Sequence, residues 1–212
     1  MGATLKRLLF GVGFLGALAC APQARADGLS VDEQSRLATG ATVVREQTVE
    51  DDERRLVGGV TYTVVEATPE ELEATFDDVD AYKQLLPKTR YARRVTGPGT
   101  DTFIEVSQGN NVVSASYVLQ VRKYARERTV RFWLAPTYPH AIDDAWGFFR
   151  AEPLPPAPDG TPRTLLTYGV LVDVGPGIVR AFYEEKLRAA MLAVPQLVRQ
   201  YVQRSFRSPR PA

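Results

Sequence analysis

The sequence predicts an α+β fold in which a curved antiparallel sheet wraps around one long C-terminal helix. Three observations favour this fold. Apolar and polar residues alternate with the period of a strand, repeatedly, from residue 91 to residue 173. Two short helical segments precede this run and follow an earlier strand. A single amphipathic segment comes last, and its apolar stripe needs a surface to cover it. A sheet wrapped around one helix readily leaves a hollow, which is typical of a container more than of a catalyst.

The first 26 residues are typical of an export signal. Lys6 and Arg7 form a basic start, an apolar run covers residues 8–19, and Ala24-Arg25-Ala26 offers small residues at a cleavage site. The run is too short to span ~30 Å of hydrocarbon as a helix. We therefore expect cleavage after Ala26 and a periplasmic or secreted protein, with a retained membrane anchor as the alternative.

A cysteine inside this segment leaves a second possibility open. Ala17-Leu18-Ala19-Cys20 resembles a bacterial lipobox, although Ala17 stands where a leucine is usual. Lipidation at Cys20 would make the protein a lipoprotein. Cleavage after Ala26 would instead leave 186 of the 212 residues with no cysteine, so no disulfide could hold the mature chain.

The charge balance argues against one class of partner. Without the three basic residues of the signal, 23 of the 26 basic residues remain against 25 acidic ones, a net charge of −2. General nucleic-acid binding depends on a basic surface, so we expect no nucleic-acid partner.

The segment 27–55 is predicted to be an N-terminal helix followed by an extended arm. Ser30 and Glu33 have the spacing of a capping box, and Gly40 is suited to end the helix. Residues 42–49 form the arm. The main domain is predicted over residues 56–206, beginning with a strand at 56–66.

The clearest helix start in the chain is Thr68-Pro69-Glu70-Glu71. Thr68 caps, Pro69 occupies the first helical position, where its missing N–H costs nothing, and Glu71 completes the capping box. A second short helical segment carries Tyr82, and Pro87 ends it.

Strands and turns follow. The turns lie at 97–99 and 108–111, a loop at 135–142 contains the single histidine, His140, and a proline-rich loop covers 153–162. The last strand is predicted at 165–173.

The final helix begins after Gly175-Pro176-Gly177, and Pro195 should kink it, because proline removes a hydrogen bond and crowds the preceding turn. Residues 207–212 are predicted to be a basic tail. The helix carries one apolar stripe, formed by Val179, Phe182, Leu187, Ala190, Met191, Val194, Val198 and Tyr201.

This order of elements resembles the START-like superfamily (SRPBCC, helix-grip), nearest to the polyketide cyclases and the coenzyme-Q-binding START-type proteins. The likeness covers roughly residues 56–204 and is a diffuse pattern of apolar positions and turns. It implies a cavity between sheet and terminal helix that holds a hydrophobic molecule, and it does not choose among carriers, cyclases and chaperone cofactors. The likeness rests on residues 64–71, 76–82, 85–87, Trp146-Gly147-Phe148, 165–168 and Val172-Asp173.

Large inward-facing side chains are the candidate ligand-binding residues. The alternative is that they fill a solid core, since protein interiors are normally close-packed. Tyrosine and tryptophan favour a pocket, because apolar pockets usually carry a few polar groups that orient a ligand. The candidates are Tyr117, Leu119, Phe132, Trp146, Phe148 and Tyr168 on the strands, and Phe182, Met191 and Val194 on the helix.

Signals for catalysis and for metal binding are sparse, so we assign no catalytic residue, metal ligand or cofactor. His140 stands alone in its loop, without a nucleophile-elbow pattern elsewhere. It is interpreted as a solvent-facing or loop-stabilising residue, with a gate residue at the cavity mouth as the alternative. Asp143, Asp144 and Asp173 are interpreted as charges at strand ends, because calcium needs six or more oxygen ligands in a set geometry.

We expect an exported protein that binds or shuttles a lipid, sterol, quinone or polyketide-like molecule, and is not an enzyme. One alternative is a cyclase or aromatase in which Tyr117, Tyr168 or Glu105 moves protons. Another is an interaction module with a filled core. Beyond Glu185 the cations have no acidic neighbours, which suits a helix C-terminus or a contact with anionic membrane surfaces. These cations are Lys186, Arg188, Arg199, Arg204, Arg207 and Arg210.

Overall fold

The computed structural model describes residues 28–50, 54–109 and 114–207, without the side chains of 178–180 and 207. The predicted export signal, Cys20 and nearly all of the basic tail lie outside these residues. From Val31 onward the described chain forms one compact unit.

The order of elements agrees with the sequence prediction. Two elements precede the main run: helix α1 (Val31–Ala38) and strand β1 (Val43–Glu50). Strand β2 (Arg55–Val65) leads to helix α2 (Pro69–Asp77), a 3-10 turn (Val79–Ala81) and helix α3 (Tyr82–Leu85). Six strands follow: β3 (Thr89–Val95), β4 (Thr102–Gly109), β5 (Ser114–Tyr124), β6 (Thr129–Leu134), β7 (Asp144–Leu154) and β8 (Arg163–Asp173). Helices α4 (Ile178–Leu192) and α5 (Val194–Val202) and a π-helical turn (Gln203–Arg207) end the described chain.

The strands form one antiparallel sheet in the order β1-β2-β8-β7-β6-β5-β4-β3. This confirms the predicted α+β architecture of a curved antiparallel sheet with a long C-terminal helix. The segment predicted as an extended arm is the edge strand β1, which pairs with β2 from Val43↔Tyr62 to Glu50↔Arg55. The arm is therefore an integral part of the sheet.

The start of α2 has the predicted capping box. The backbone N–H of Glu71 donates to Thr68 Oγ1 over 3.2 Å, and the N–H of Thr68 donates to Glu71 Oε2 over 2.9 Å. Two backbone donors that the helix cannot satisfy internally are thus paired.

The predicted kink at Pro195 is a break between two helices. Helix α4 ends at Leu192, and Pro195 occupies the first turn of α5, where no backbone N–H is required. At this break the sheet pairs with the end of α4, since Thr61 Oγ1 donates a hydrogen bond to the backbone oxygen of Leu192 over 3.0 Å.

The core lies between α2, α5 and one face of the sheet. We call this face, which looks toward α4 and α5, the inner face, and the opposite one the outer face. Val65, Leu72, Leu166, Val198 and Val202 are completely buried in one cluster. The interior beneath α5 is therefore filled, as close packing requires.

Candidate functional site

The pairing register decides which strand residues look toward the terminal helix. In β7 and β8 the partners Phe149↔Tyr168 and Ala151↔Leu166 face inward, because Tyr168 and Leu166 share a core cluster with Leu192 of α4. Side chains alternate across a strand, so every second residue along each strand shares this face.

Six of the nine candidate residues lie on the inner side of the molecule. Their binding of a ligand stays a prediction. Tyr117 and Leu119 of β5, Phe132 of β6 and Tyr168 of β8 share the inner face, and Met191 and Val194 join them from the helices.

The prediction that Trp146 and Phe148 line the space beneath the helix is wrong. Side chains alternate along β7, and both residues are an odd number of positions from the inward-facing Phe149. They therefore lie on the outer face, where Trp146 is 46% exposed. The Phe148 ring covers Gly169 there and occupies the place that a Cβ would need. Aromatic residues occur at both even and odd positions of β7, so alternation alone could not show which side of the strand faces inward.

Phe182 does not face the sheet either. It lies in α4 with 74% of its surface exposed. Helix α4 is in contact with β2 and β8, and the stripe that packs there belongs to other positions of the helix. The periodicity predicted an amphipathic helix correctly and its angular orientation incorrectly at this residue.

The sequence interpretation missed Phe149, the central inward ring of β7. It stacks on Phe76 of α2 with 4.3 Å between ring centroids, and on Tyr168 with 4.6 Å. Phe132 lies 5.8 Å from Phe149 and completes an aromatic group. Only the pairing partner of Phe149 identifies its face, and that partner is distant in sequence.

The inner face is completely buried at one end and only partly buried elsewhere. Beneath α5 its residues are completely buried, whereas a set of apolar residues on β5, β6, β8 and α4 stays only half-buried. We call this set the inner groove. It consists of Tyr117, Leu119, Phe132, Val172 and Met191.

Two tyrosines supply polar atoms to this apolar surface. Tyr117 donates a hydrogen bond to Gln108 Oε1, and Gln108 Nε2 donates to the backbone oxygen of Pro87 over 3.0 Å. Burial raises the pKa of both Tyr117 and Tyr168 well above the usual value, with Tyr117 contributing further to the rise at Tyr168. Both hydroxyls are therefore protonated at neutral pH and are suited to donate hydrogen bonds rather than to accept protons.

A pocket of about 110 Å³ opens beside this aromatic group, between α2 and the ends of β5, β6 and β7. Phe76 and Phe149 are among its apolar lining, and Lys123 lies at its rim. Lys123 forms ion pairs with Glu73, at 3.2 Å, and with Asp77, and so links β5 to α2. A shallower groove of about 320 Å³ adjoins it along Pro69, Glu70 and Arg128.

The position of Glu105 corrects the cyclase alternative. Glu105 pairs in register with Arg93 on the outer face and forms a salt bridge of 2.6 Å with it. Tyr91 donates a second hydrogen bond to this carboxylate over 2.9 Å. Hydrogen bonds from Arg93 and Tyr91 lower the pKa of Glu105. It cannot move protons in a space on the opposite side of the sheet.

The polar residues singled out elsewhere in the chain make local contacts. His140 is exposed, and its Nδ1 lies 2.7 Å from the backbone oxygen of Ile142. Asp173 is buried and accepts hydrogen bonds from the backbone N–H groups of Arg55 and Gly175. Among the described residues, no three His, Cys, Asp or Glu side chains are grouped as a metal site requires. In the same part of the chain, no helix has the length and apolar character needed to cross a membrane.

Solved structures share this architecture. A protein from Thermus thermophilus matches with a TM-score of 0.56 and 12% identity, over 69% of this chain and 97% of that chain. A START superfamily protein from Mycobacterium smegmatis matches with a TM-score of 0.53 and 18% identity, over 70% and 97%. A STAR-related lipid transfer protein from Xanthomonas axonopodis matches with a TM-score of 0.52 and 13% identity, over 74% and 98%.

No protein-family model matches the chain, and no curated protein matches it either. The chain has the START-like fold that its sequence resembles. At these identities the likeness establishes the fold alone.

Proposed function

We propose that this protein binds a hydrophobic small molecule in the inner groove, between the sheet and the terminal helix. The observation that carries the proposal is the contrast between the two ends of the inner face. Side chains beneath α5 are completely buried, while Tyr117, Leu119, Phe132, Val172 and Met191 keep accessible apolar surface. Covering ~200 Å² of such surface would contribute about 5 kcal/mol to binding.

The hydrogen bonds of the loop favour ligand entry at the α2 end of the sheet over entry at the Ala135–Ile142 loop. That loop is fastened to the sheet, since Ala135 N donates to Val118 O over 2.8 Å and Ala141 N to Ser116 O over 3.0 Å. The pocket beside Phe76 and Phe149, by contrast, reaches the aromatic group directly. Movement of α4 would be a second way to admit a ligand.

The proposal extends to an exported carrier that exchanges its ligand with membranes. The basic start, apolar run and small-residue cleavage site of residues 1–26 support export. Exposed Phe182, Tyr183 and Lys186 on α4 support contact with a lipid surface. Arg188 does not belong to such a surface, because its side chain is buried among contacts to β1. A lipid, sterol, quinone or polyketide-like molecule would suit an apolar groove with two hydroxyls.

Catalysis is not part of the proposal. The Glu105 carboxylate considered for proton transfer lies on the outer face. The raised pKa values of Tyr117 and Tyr168 keep both hydroxyls protonated, so neither is available to take up a proton at neutral pH.

A pair of adjacent substitutions tests the site. Ala115 is half-buried on the inner face, and Ser114 is exposed on the outer face of the same strand. We expect Ala115→Trp to weaken binding of a fluorescent fatty acid or sterol by about tenfold or more, because the indole takes up volume that the ligand needs. Ser114→Trp should leave binding unchanged.

Organic extraction of the purified protein, followed by mass spectrometry, tests occupancy without a chosen probe. We expect a hydrophobic molecule to be released from wild-type protein and little from Ala115→Trp. A protein that releases nothing and ignores the fluorescent lipids would overturn the proposed function. Transfer of a fluorescent lipid between two vesicle populations tests the carrier role separately.

A further inference from the structure

The hydroxyl of Tyr168 is a polar group on the inner face to which the described residues give no hydrogen-bond partner. Tyr168 is only 3% exposed, and its ring lies between Phe149, at 4.6 Å, and Phe132, at 6.3 Å. Within the described residues its hydroxyl makes no hydrogen bond. Tyr117 and Tyr82 differ in this respect, since they donate to Gln108 Oε1 and to the backbone oxygen of Phe76.

An unpaired hydroxyl in an apolar interior is costly, typically by more than a hydrogen bond gains. The fully enclosed side-chain atoms without a partner, among residues the structure describes, are Thr89 Oγ1 and Arg188 Nε. The Tyr168 hydroxyl is not one of them, so the small exposed fraction of this residue includes its hydroxyl. A donor without a partner among the described residues therefore keeps some accessible surface on the inner face.

The surroundings of this donor disfavour a charged partner. Burial raises the pKa of Tyr168, because a low-dielectric environment disfavours charge. Cations around the inner face already have partners: Lys123 pairs with Glu73 and Asp77, Arg94 donates to the backbone oxygen of Asp77 over 2.7 Å, and Arg188 contacts Glu46 and Thr48. A carboxylate or phosphate beside Tyr168 would lose its hydration without gaining a counter-ion.

We infer that the molecule held in the inner groove is uncharged and carries a carbonyl or similar oxygen, which accepts a hydrogen bond from the Tyr168 hydroxyl. This inference rests on the proposed function and specifies the chemical class of its ligand. The apolar body of the molecule would lie along Leu119, Phe132 and Val172, and its oxygen would supply the hydrogen-bond partner that the described residues do not.

Three naphthalenes of nearly equal size separate the effects of apolar contact, a hydrogen-bond acceptor and a negative charge on binding. They are 2-ethylnaphthalene, which has no polar atom, 2-acetylnaphthalene, which adds a ketone oxygen, and 2-naphthoate, which is charged. Each is titrated by calorimetry into wild type, Tyr168→Phe and a control, Tyr62→Phe, whose ring lies on the outer face of β2. Tyr168→Phe should weaken the ketone by about 3- to 10-fold, the usual value of one hydrogen bond, and leave the hydrocarbon unchanged.

The control should change neither affinity, and the naphthoate should bind wild type at least about tenfold more weakly than the ketone. If Tyr168→Phe lost affinity for the ketone and the hydrocarbon equally, or for neither, the inference alone would be overturned. A naphthoate that binds as tightly as the ketone would also overturn it. If none of the three binds wild-type protein, both the inference and the proposed function are overturned.

The stability of the ligand-free protein gives an independent result. Because the Tyr168 hydroxyl has no partner in the part of the chain that the structure describes, Tyr168→Phe should leave the melting temperature unchanged or slightly raised. Tyr82→Phe, which removes the 3.1 Å hydrogen bond to Phe76, should lower it. A fall in Tyr168→Phe as large as in Tyr82→Phe would assign the hydroxyl a structural role and contradict the inference.

Discussion

Arg188 of α4 donates a hydrogen bond to Thr48 of β1, with 3.0 Å between Nη2 and Oγ1, although 140 residues separate them in sequence. Its Nη1 lies 3.4 Å from Glu46 Oε2 on the same strand. A neighbouring salt bridge of 2.9 Å joins Arg55 of β2 to Glu184 of α4. These contacts hold the terminal helix against the β1–β2 edge of the sheet.

Replacing Arg188 should destabilise the fold strongly. Arg188→Met would leave a nearly buried carboxylate, Glu184, with one cation fewer, which costs about 3 kcal/mol in comparable sites. Urea unfolding measures the change. Lys186→Met, two residues earlier on the exposed side, serves as the control and should change stability by less than about 0.5 kcal/mol. Equal effects in the two variants would contradict this account.

The capping box of α2 should contribute measurably to stability. Thr68→Ala removes the acceptor for the Glu71 N–H and should cost about 1 kcal/mol. Thr68→Ser keeps an oxygen at the same position and should retain most of the stability. Chemical denaturation of the three proteins checks the prediction, which fails if the serine variant is as unstable as the alanine variant.

Two glycines that face opposite sides of the sheet should differ in their tolerance of a methyl group. In Gly147→Ala the Cβ would meet the backbone oxygen of Gly169 and the Phe132 ring, and we expect a loss of about 1–3 kcal/mol. In Gly169→Ala the three atoms nearest to the Cβ all belong to the Phe148 ring, a side chain that can shift, so the loss should be smaller. Thermal unfolding measures both.

The same pair also tests the assignment of faces. Gly147 lies on the inner face beside Phe132, so Gly147→Ala should weaken binding of a fluorescent lipid. Gly169→Ala should leave that affinity unchanged. Weaker binding in Gly169→Ala alone would be inconsistent with the inner groove as the site.

Asp101 should make stability fall in acid. Hydrogen bonds from Arg122, at 2.7 and 2.8 Å, and from Gln120 lower the pKa of Asp101 from 3.8 to about 2. Because the folded state binds this proton less readily than the unfolded state, the contribution is complete above about pH 4 and lost as the pH falls toward 2. Urea midpoints of wild type and Asp101→Asn should therefore converge over this window. If the urea midpoints of the two proteins stayed equally far apart at every pH, the ion pair with Arg122 would contribute nothing to the pH dependence of stability.

Local chemistry made much of the fold predictable. The Thr68 cap, the proline at the first position of α2 and the break at Pro195 each depend on a few neighbouring residues, and each was predicted at its place. Which residues of each strand face inward was harder to predict from the sequence. Trp146 and Phe148 were assigned inward, whereas the inward ring is Phe149, because β7 has apolar residues at both parities and only its pairing with Tyr168 selects one.

The sequence by itself determined the order of elements, their caps and breaks, and the need for an apolar sheet beneath a terminal helix, since these follow from backbone geometry and periodicity along the chain. Only the tertiary structure decided that the 42–49 arm becomes an edge strand, that Phe182 faces solvent, and that Tyr168 is buried without a hydrogen-bond partner among the described residues. Those properties depend on contacts between residues far apart in sequence, which composition and spacing do not specify.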